Sequence, residues 1–456
     1  MEFDHVLVSR LGFAITASYH ILFPSLIIGL AFFLSGLEIA WLRTGKSIYR
    51  AHYRFWLKFF ITAFVVGVIT GVGLSFQLDT HFGNFYRKTL DVLVPIRRLE
   101  LFNTIVLEAG ALGIMLWGWN RVGNRLHLAA TLMMNVGVVI AGICILARNS
   151  WMQTPDGYLL ENGQLVLQDW FSAVISPFFP FRFLHMITAA LLSTSFFVLG
   201  ISAWYLLKQR HWEFARLSFR VAVLTIAVLA PWQFLVGHMH GVNTKEHQPM
   251  KVAAMEGLWE TTQGAPLVLF GLPDQEQRNT RFAVQIPKLG SLVLTHQTDS
   301  TIQGLEEFPS EDWPKVSIVF FAFRIMVGLG LLMIAVGAIG SILLWKRRAY
   351  GDRRFLRLCW LMTPSGFVAT IAGWMVTEVG RQPWAIYGLV RTSDLVKDIP
   401  VSQALHSLML MGIVYGSTCL AVAYVLWRVI GQGPVAGGPD APGKAPSGAL
   451  PHSVPR

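Results

Sequence analysis

The chain has 456 residues, 54% of them hydrophobic and only 14% charged, which argues against a soluble or disordered protein and points to an integral membrane protein. The formal charge of +11 does not indicate nucleic acid, because the basic residues cluster in short loops between apolar runs. Cys144, Cys359 and Cys419 fall inside or at the ends of apolar runs without metal-like spacing, so neither a disulfide framework nor thiol chemistry is implied.

Runs long enough to cross a bilayer, about 20 apolar residues each, fall at 14–40, 57–77, 99–119, 127–148, 181–207, 219–237, 316–345, 358–378 and 403–429. The expected fold is therefore an all-α polytopic membrane bundle of about nine helices. No cleavage signal follows the first run, which is expected to be retained. Basic residues cluster after the first run (Arg43, Lys46, Arg50, Arg54, Lys58), the third (Arg121, Arg125), the fifth (Lys208, Arg210, Arg216, Arg220) and the seventh (Lys346 to Arg357). The positive-inside rule makes these loops cytoplasmic, the N-terminus extracytoplasmic and the C-terminus cytoplasmic. Arg87, Lys88, Arg97 and Arg98, in the 78–98 segment, run against that pattern.

The expected division is residues 1–237 for helices one to six, 238–315 for a large extracytoplasmic loop, 316–430 for helices seven to nine, and 431–456 for a tail. The loop carries a helix-like segment from Lys251 to Glu260 and a strand-like piece from Phe282 to Ile286. The tail is too rich in Gly, Pro and Ala to pack and reads as disordered and cytoplasmic.

Ionisable side chains in membrane spans are costly and mark sites by default. His20 lies near the start of the first helix and His185 near the start of the fifth. Met326 is a few turns into the seventh from outside, and Glu378 closes the eighth at its outer end. These residue types bind haem iron, and His with Met is an axial pair of electron-transfer haems. Arg324 and Arg381, at a similar depth, suit haem propionates. Taken singly, each has a plainer reading: a membrane histidine bridges helices, a methionine packs, and Glu378 pairs with Arg381. Glu100 and Glu108 stand eight residues apart on the third helix, about 12 Å along its axis. Roughly one helical face then carries two carboxylates, which suits proton delivery. His406 reads as structural, and His238, His240 and His247 as residues of an exposed loop rather than metal ligands.

The stretch Gly373-Trp374-Met375-Val376-Thr377-Glu378-Val379-Gly380-Arg381-Gln382-Pro383-Trp384 resembles the GWxxxExGRQPW signature of subunit I of the cytochrome bd-type quinol oxidases. Other stretches resemble the same family in order: Ser9 to Ala14 with Tyr19-His20, Phe183-Leu184-His185, and Phe321 to Met326. In the loop, Lys251 to Glu256 and Phe270 to Gln275 look like the quinol-binding loop of the branch in which that loop is short. The resemblance implies a low-spin haem b on His185 and Met326. It implies a high-spin pair, haem b and haem d, served by His20 and Glu378, with Trp374 among the haems and Glu100 and Glu108 near haem d. Glu100 is thereby a further candidate iron ligand. Lys251 and Glu256 match the quinol-site residues. The segments Phe76 to His81 and Val94 to Leu99 depart from the family's usual pattern.

The function implied is oxidation of membrane quinol at the outer face and reduction of O2 to water in the bacterial cytoplasmic (inner) membrane. Turnover would generate a proton motive force without pumping. The partners implied are a second large membrane subunit, often with a small single-span one, and no nucleic acid. Two other readings remain open at this stage: a cytochrome b-like quinol dehydrogenase with another acceptor, and a polytopic transporter whose intramembrane charges line a substrate path.

Overall fold

The structure is a computed structural model and describes residues 4–161 and 164–434; of the expected tail 431–456, residues 435–456 lie outside the described residues, and the last helix runs on through Gln432. Among the described residues, nine helical segments are long and apolar enough to cross a membrane. They are His5–Thr44, Ser47–His81, Asp91–Trp117, Asn124–Gln153, Trp170–Leu207, Trp212–His247, Val316–Trp345, Arg353–Val379 and Val401–Gln432, here the first to ninth spans. The nine-helix expectation holds, and no barrel is present among these residues.

Several ends differ from expectation. The sixth span continues through His247 rather than stopping near residue 237, because a helix bonds its own backbone and needs no apolar surroundings to continue into water. His238, His240 and His247 are therefore half-buried helical residues, not residues of an exposed loop. At 40 residues the first span would be about 60 Å long if straight, twice the hydrocarbon thickness. It breaks at Ile21, between helices His5–His20 and Leu22–Thr44. Pro24 accounts for the break, since it has no N–H to offer the His20 carbonyl.

The lower half of the first span lies at the centre, packing against the second, fourth, fifth and eighth, while its upper half lies against the second and ninth. The fourth also packs on the third and fifth. Spans five, six, seven and eight form a closed ring in which five touches six, six touches seven, seven touches eight and eight touches five. Small residues permit the close crossings. An added Cβ at Gly366 would stand 2.4 Å from Ser193 Cα, and one at Gly337 3.0 Å from Ala227 Cα. The main apolar core, with Tyr53, Trp56, Phe59, Phe196, Tyr205, Phe219 and Phe355, draws on the second, fifth, sixth and eighth spans.

Outside the spans, the helix expected from Lys251 to Glu260 runs instead from Pro249 to Glu256, ended by Gly257 at φ 64°, and an antiparallel hairpin pairs Leu267–Asp274 with Asn279–Ile286. Met250, Ala253 and Met255 of that helix pack with Val319 of the seventh span and Val376 of the eighth.

Gly366→Val is expected to lower stability by about 1–3 kcal/mol through overpacking, read as a reduced melting temperature. Gly330→Val, where an added Cβ meets nothing within 4 Å, should leave it unchanged.

Candidate functional site

His185 and Met326 lie on the fifth and seventh spans, which stand across the diagonal of the four-span ring. Each is backed by a glycine of a neighbouring span: a Cβ at Gly237 would stand 3.3 Å from His185 Cε1, and one at Gly373 2.8 Å from Met326 Sδ. The His185 carbonyl accepts from Gln233 Nε2 at 3.1 Å. Its Nδ1 is buried without a partner. A buried imidazole nitrogen without a hydrogen bond is unusual in a finished fold and fits a group held for ligation. His240 lies nearby, its ring centroid 5.8 Å away and tilted by 59°. Trp374 follows Gly373 and is half-buried.

Glu378 closes the eighth span in a cage of donors. Asn149 Nδ2 gives to Oε1 at 3.0 Å, Gln153 Nε2 to the same oxygen at 3.4 Å, and Arg381 Nη2 to Oε2 at 2.5 Å. The pairing of Glu378 with Arg381 is thus real, yet it leaves Arg381 Nε and Nη1 unpartnered. Buried Arg182, one turn from His185, also has an unpartnered Nη1. Two buried guanidinium groups with spare donors beside a carboxylate and an unpartnered imidazole suit an anionic porphyrin. The residues present fit haem.

Lys251 and Glu256 share helix Pro249–Glu256, but five residues apart they diverge by about 140° and face different spans. Lys251 Nζ donates to Gln153 Oε1 at 2.7 Å, and its stem passes Gly380, where a Cβ would stand 2.9 Å from Lys251 Cγ. Burial, with Arg381 and Arg182 adding to it, depresses the Lys251 amine well below its usual range. Glu256 faces the seventh span, 3.5 Å from Arg324 Nη2. Burial raises its carboxyl to about 7 against the pull of Arg324. Arg324 is committed to the loop: its Nη1 donates to Met255 O at 2.5 Å and its Nη2 to Val268 O at 2.6 Å. Its place is that of a clamp between the loop and the turn that carries Met326.

Glu100 pairs with Arg148 of the fourth span. Glu108, buried, accepts from Asn103 Nδ2 at 2.9 Å. A π-helical turn, Thr104–Glu108, lies between the two carboxylates. Eight residues of regular helix would rotate them about 80° apart; the π turn absorbs one residue and brings them to about 20°. Both then face the fourth span.

His20 stands apart from the Glu378 cluster, with Nδ1 2.9 Å from Thr70 Oγ1 and its ring against Gly71. His406 is exposed on the ninth span. Among the described residues no cluster of three or more His, Cys, Asp or Glu suits a bare metal ion. Sequence reasoning missed Gln153, Asn149, Arg148 and Arg182. Arg148 and Arg182 were visible as charges at the margins of apolar runs, whereas Gln153 and Asn149 carried no signal of their own.

A nine-span bundle with buried histidine, methionine and carboxylate side chains close to a loop helix is the arrangement of a membrane-bound haem oxidoreductase subunit. A sequence model of the family described as "Cytochrome bd terminal oxidase subunit I" matches residues 8–434, and the chain belongs to that family. It is 30% identical over 442 residues to cytochrome bd ubiquinol oxidase subunit 1 of Bacillus subtilis, covering 94% of each chain. It is 28% identical to cytochrome bd-II ubiquinol oxidase subunit 1 of Escherichia coli, over 95% of this chain and 98% of the relative. The bd oxidase structure from Geobacillus thermodenitrificans superposes with a TM-score of 0.88 at 29% identity, covering 95% of this chain and 99% of that one.

Gln153→Leu removes the acceptor of Lys251 Nζ and a donor to Glu378, leaving a buried amine unpaired at a cost of about 1–3 kcal/mol. The expected result is a raised KM for quinol with little change in haem content. Gly373→Ala, pressing on Met326 Sδ, should instead perturb the visible haem spectrum.

Proposed function

We propose that this chain is the haem-bearing, quinol-oxidising subunit of a terminal oxidase in a bacterial cytoplasmic membrane, with its N-terminus outside and its C-terminus inside. The observation that carries the reading is the joining of two sites by one clamp. Arg324 holds the helix that bears Glu256 and stands two residues before Met326, so a proton acceptor for quinol and a candidate haem ligand share one rigid support. His185 and Met326 would hold a low-spin haem b. His20 and Glu378 would serve the high-spin haem b and haem d, with Glu100 a further candidate ligand and Trp374 beside them. When bound, the haems supply one-electron transfer from quinol and the place where oxygen is reduced.

The chain's own part is in protons and positioning. Each quinol gives up two electrons and two protons; two quinols and one O2 yield two quinones and two waters, with four protons released at the quinol site and four taken up for the waters. Glu256, with its carboxyl near 7, is poised to accept a quinol hydroxyl proton at neutral pH. Lys251, its charged form disfavoured by burial, can hydrogen-bond the other oxygen. Arg182 and Arg381 are suited to the haem carboxylates. Glu108, the deeper of the two third-span carboxylates, is suited to pass protons toward oxygen, with Glu100 about two turns nearer the outer end on the same face. A second large membrane subunit, often accompanied by a small single-span one, completes the complex in this reading.

If quinol protons leave outside while oxygen takes protons from inside, turnover charges the membrane without a pump. Proteoliposomes turning over quinol should then build a potential that an uncoupler abolishes, and turnover without one would refute the vectorial part. A visible spectrum should show a chlorin band together with haem b. Haem b alone would favour a dehydrogenase, and no pigment a transporter. Replacing His185 or Met326 by Ala should remove the low-spin signal and leave the others, whereas an unaltered spectrum would sink the ligand assignment.

The pH dependence follows from Glu256. Below about 7 its carboxyl is protonated and cannot accept a proton, so kcat/KM for quinol should fall by roughly tenfold per pH unit on the acid side. Glu256→Gln should give a low and flat profile there.

A further inference from the structure

We propose that His238 and His296 form a two-histidine binding site for a divalent cation of the Zn2+ type, and that the bound ion clamps the loop between the sixth and seventh spans onto the sixth span. The site itself stands apart from the quinol-oxidising reading; only the effect of the ion on turnover rests on that reading.

His238 lies on the sixth span, and His296, 58 positions on, caps the C-terminal end of the loop helix Leu289–Thr295. Their Nε2 atoms face each other at 3.1 Å, with the two rings 79° apart. Two neutral imidazoles that meet in this way share a single N–H, so one Nε2 donates and the other accepts. The same separation suits a metal ion. Two Zn–N bonds of about 2.0–2.1 Å at a tetrahedral angle place their nitrogens about 3.3 Å apart, so an ion needs a shift of only about 0.2 Å, within the tolerance of a metal site. Imidazole is a preferred ligand of Zn2+ and its borderline neighbours. On binding, the ion takes both Nε2 lone pairs while the displaced Nε2 proton passes to Nδ1 of the same ring, and no net proton is released. Water completes the coordination, because among the described residues no third His, Cys, Asp or Glu joins the pair.

The backbone holds His296 for this encounter. Its φ is 61°, in the left-handed region where glycine is the usual helix-ending residue. A histidine in that conformation is uncommon, and the ring it carries here is the one that reaches the sixth span. His296 is exposed and His238 half-buried, so the pair is open to an ion from solution.

Helix Leu289–Thr295 is fastened on its other side to the rest of the loop. Ser291 N donates to Ala265 O at 3.1 Å, and Ala265 N donates to Ser291 Oγ at 2.8 Å. Leu294, two residues before His296, packs in a buried cluster with Val252, Ala265 and Ile302. Val252 belongs to helix Pro249–Glu256 and is the neighbour of Lys251. The sixth span is equally well connected at His238. Gly237 backs His185, and the His240 ring lies 5.8 Å from that of His185. An ion joining His238 to His296 therefore pins the helix of Lys251 and Glu256 to the stretch of the sixth span that supports His185. Loop movement that admits quinol or releases quinone is slowed as a result.

The test titrates Zn2+ by calorimetry into the purified complex, prepared without a polyhistidine tag and stripped with EDTA. His238→Ala and His296→Ala should each weaken the tightest binding by at least about a hundredfold, more than the loss of an outer-shell partner costs. His296→Cys, which keeps a zinc ligand, should restore much of it. Hydrogen exchange of the amides of residues 289–296 should slow with Zn2+ in the parent chain and not in the alanine variants. Zn2+ should also lower quinol oxidation severalfold in the parent complex, reversibly by EDTA, with the visible spectrum unchanged and both alanine variants unaffected. Absence of binding in the parent complex, or equal binding in both alanine variants, overturns the site and leaves a plain hydrogen-bonded pair. Binding without slower exchange overturns the clamp. Slower exchange with quinol oxidation undiminished upholds the site and the clamp, and counts instead against this loop as the quinol-binding element.

Discussion

Carboxylates in a membrane must be held, and in this chain the fourth span does most of the holding. Glu38 meets His127 and Thr131, Glu108 lies across Gly137, Glu100 pairs with Arg148, and Glu378 accepts from Asn149 and Gln153. Removing one partner of a buried ion pair strands the other at about 3–5 kcal/mol, a large share of what a folded chain has to spare. One helix thus fixes the relative positions of carboxylates drawn from the first, third and eighth spans. Gln153 extends this role to the loop between the sixth and seventh spans, since its amide also receives Lys251.

That arrangement explains why the loop's two acid–base groups point apart. Lys251 is drawn toward Gln153 and the Glu378 cage, whereas Glu256 is drawn toward Arg324 and the seventh span. The short helix Pro249–Glu256 is thereby fastened on both sides. Gly380 is needed on one side because the lysine stem occupies the place of its side chain. On the other, Arg324 takes two loop carbonyls, which ties the loop to the seventh span.

How much of this was legible in the sequence depends on the kind of signal. Spans are additive properties of about 20 residues, so all nine could be placed, and only their ends shifted where helices run on into water, as at His247. His20, His185, Met326 and Glu378 stood out as rare residue types in apolar runs, and the signature around Glu378 named their setting. The pairing of Gln153 with Lys251 was not legible, because it joins residues 98 positions apart and neither residue is unusual where it stands. The π turn was equally hidden: counted as regular helix, Glu100 and Glu108 share a face only approximately, and the extra residue that aligns them has no sequence mark. Glu38 and His127 were visible as charged or titratable residues inside or at the edge of apolar runs, but nothing in the chain order tied one to the other.

Between Gly137 and Arg148 the fourth span offers Val138 to Ala147, with no polar side chain except the weakly polar Cys144. This apolar stretch, about 15 Å long, separates Thr131 and Asn135 from the cluster of Arg148, Asn149 and Gln153. Across it the third span supplies the polar positions, Glu108 at one margin and Glu100 at the other, both turned toward the fourth by the π turn. Glu100 meets Arg148 at one end of the stretch and Glu108 lies across Gly137 at the other, so the fourth span holds the two carboxylates at separate fixed depths.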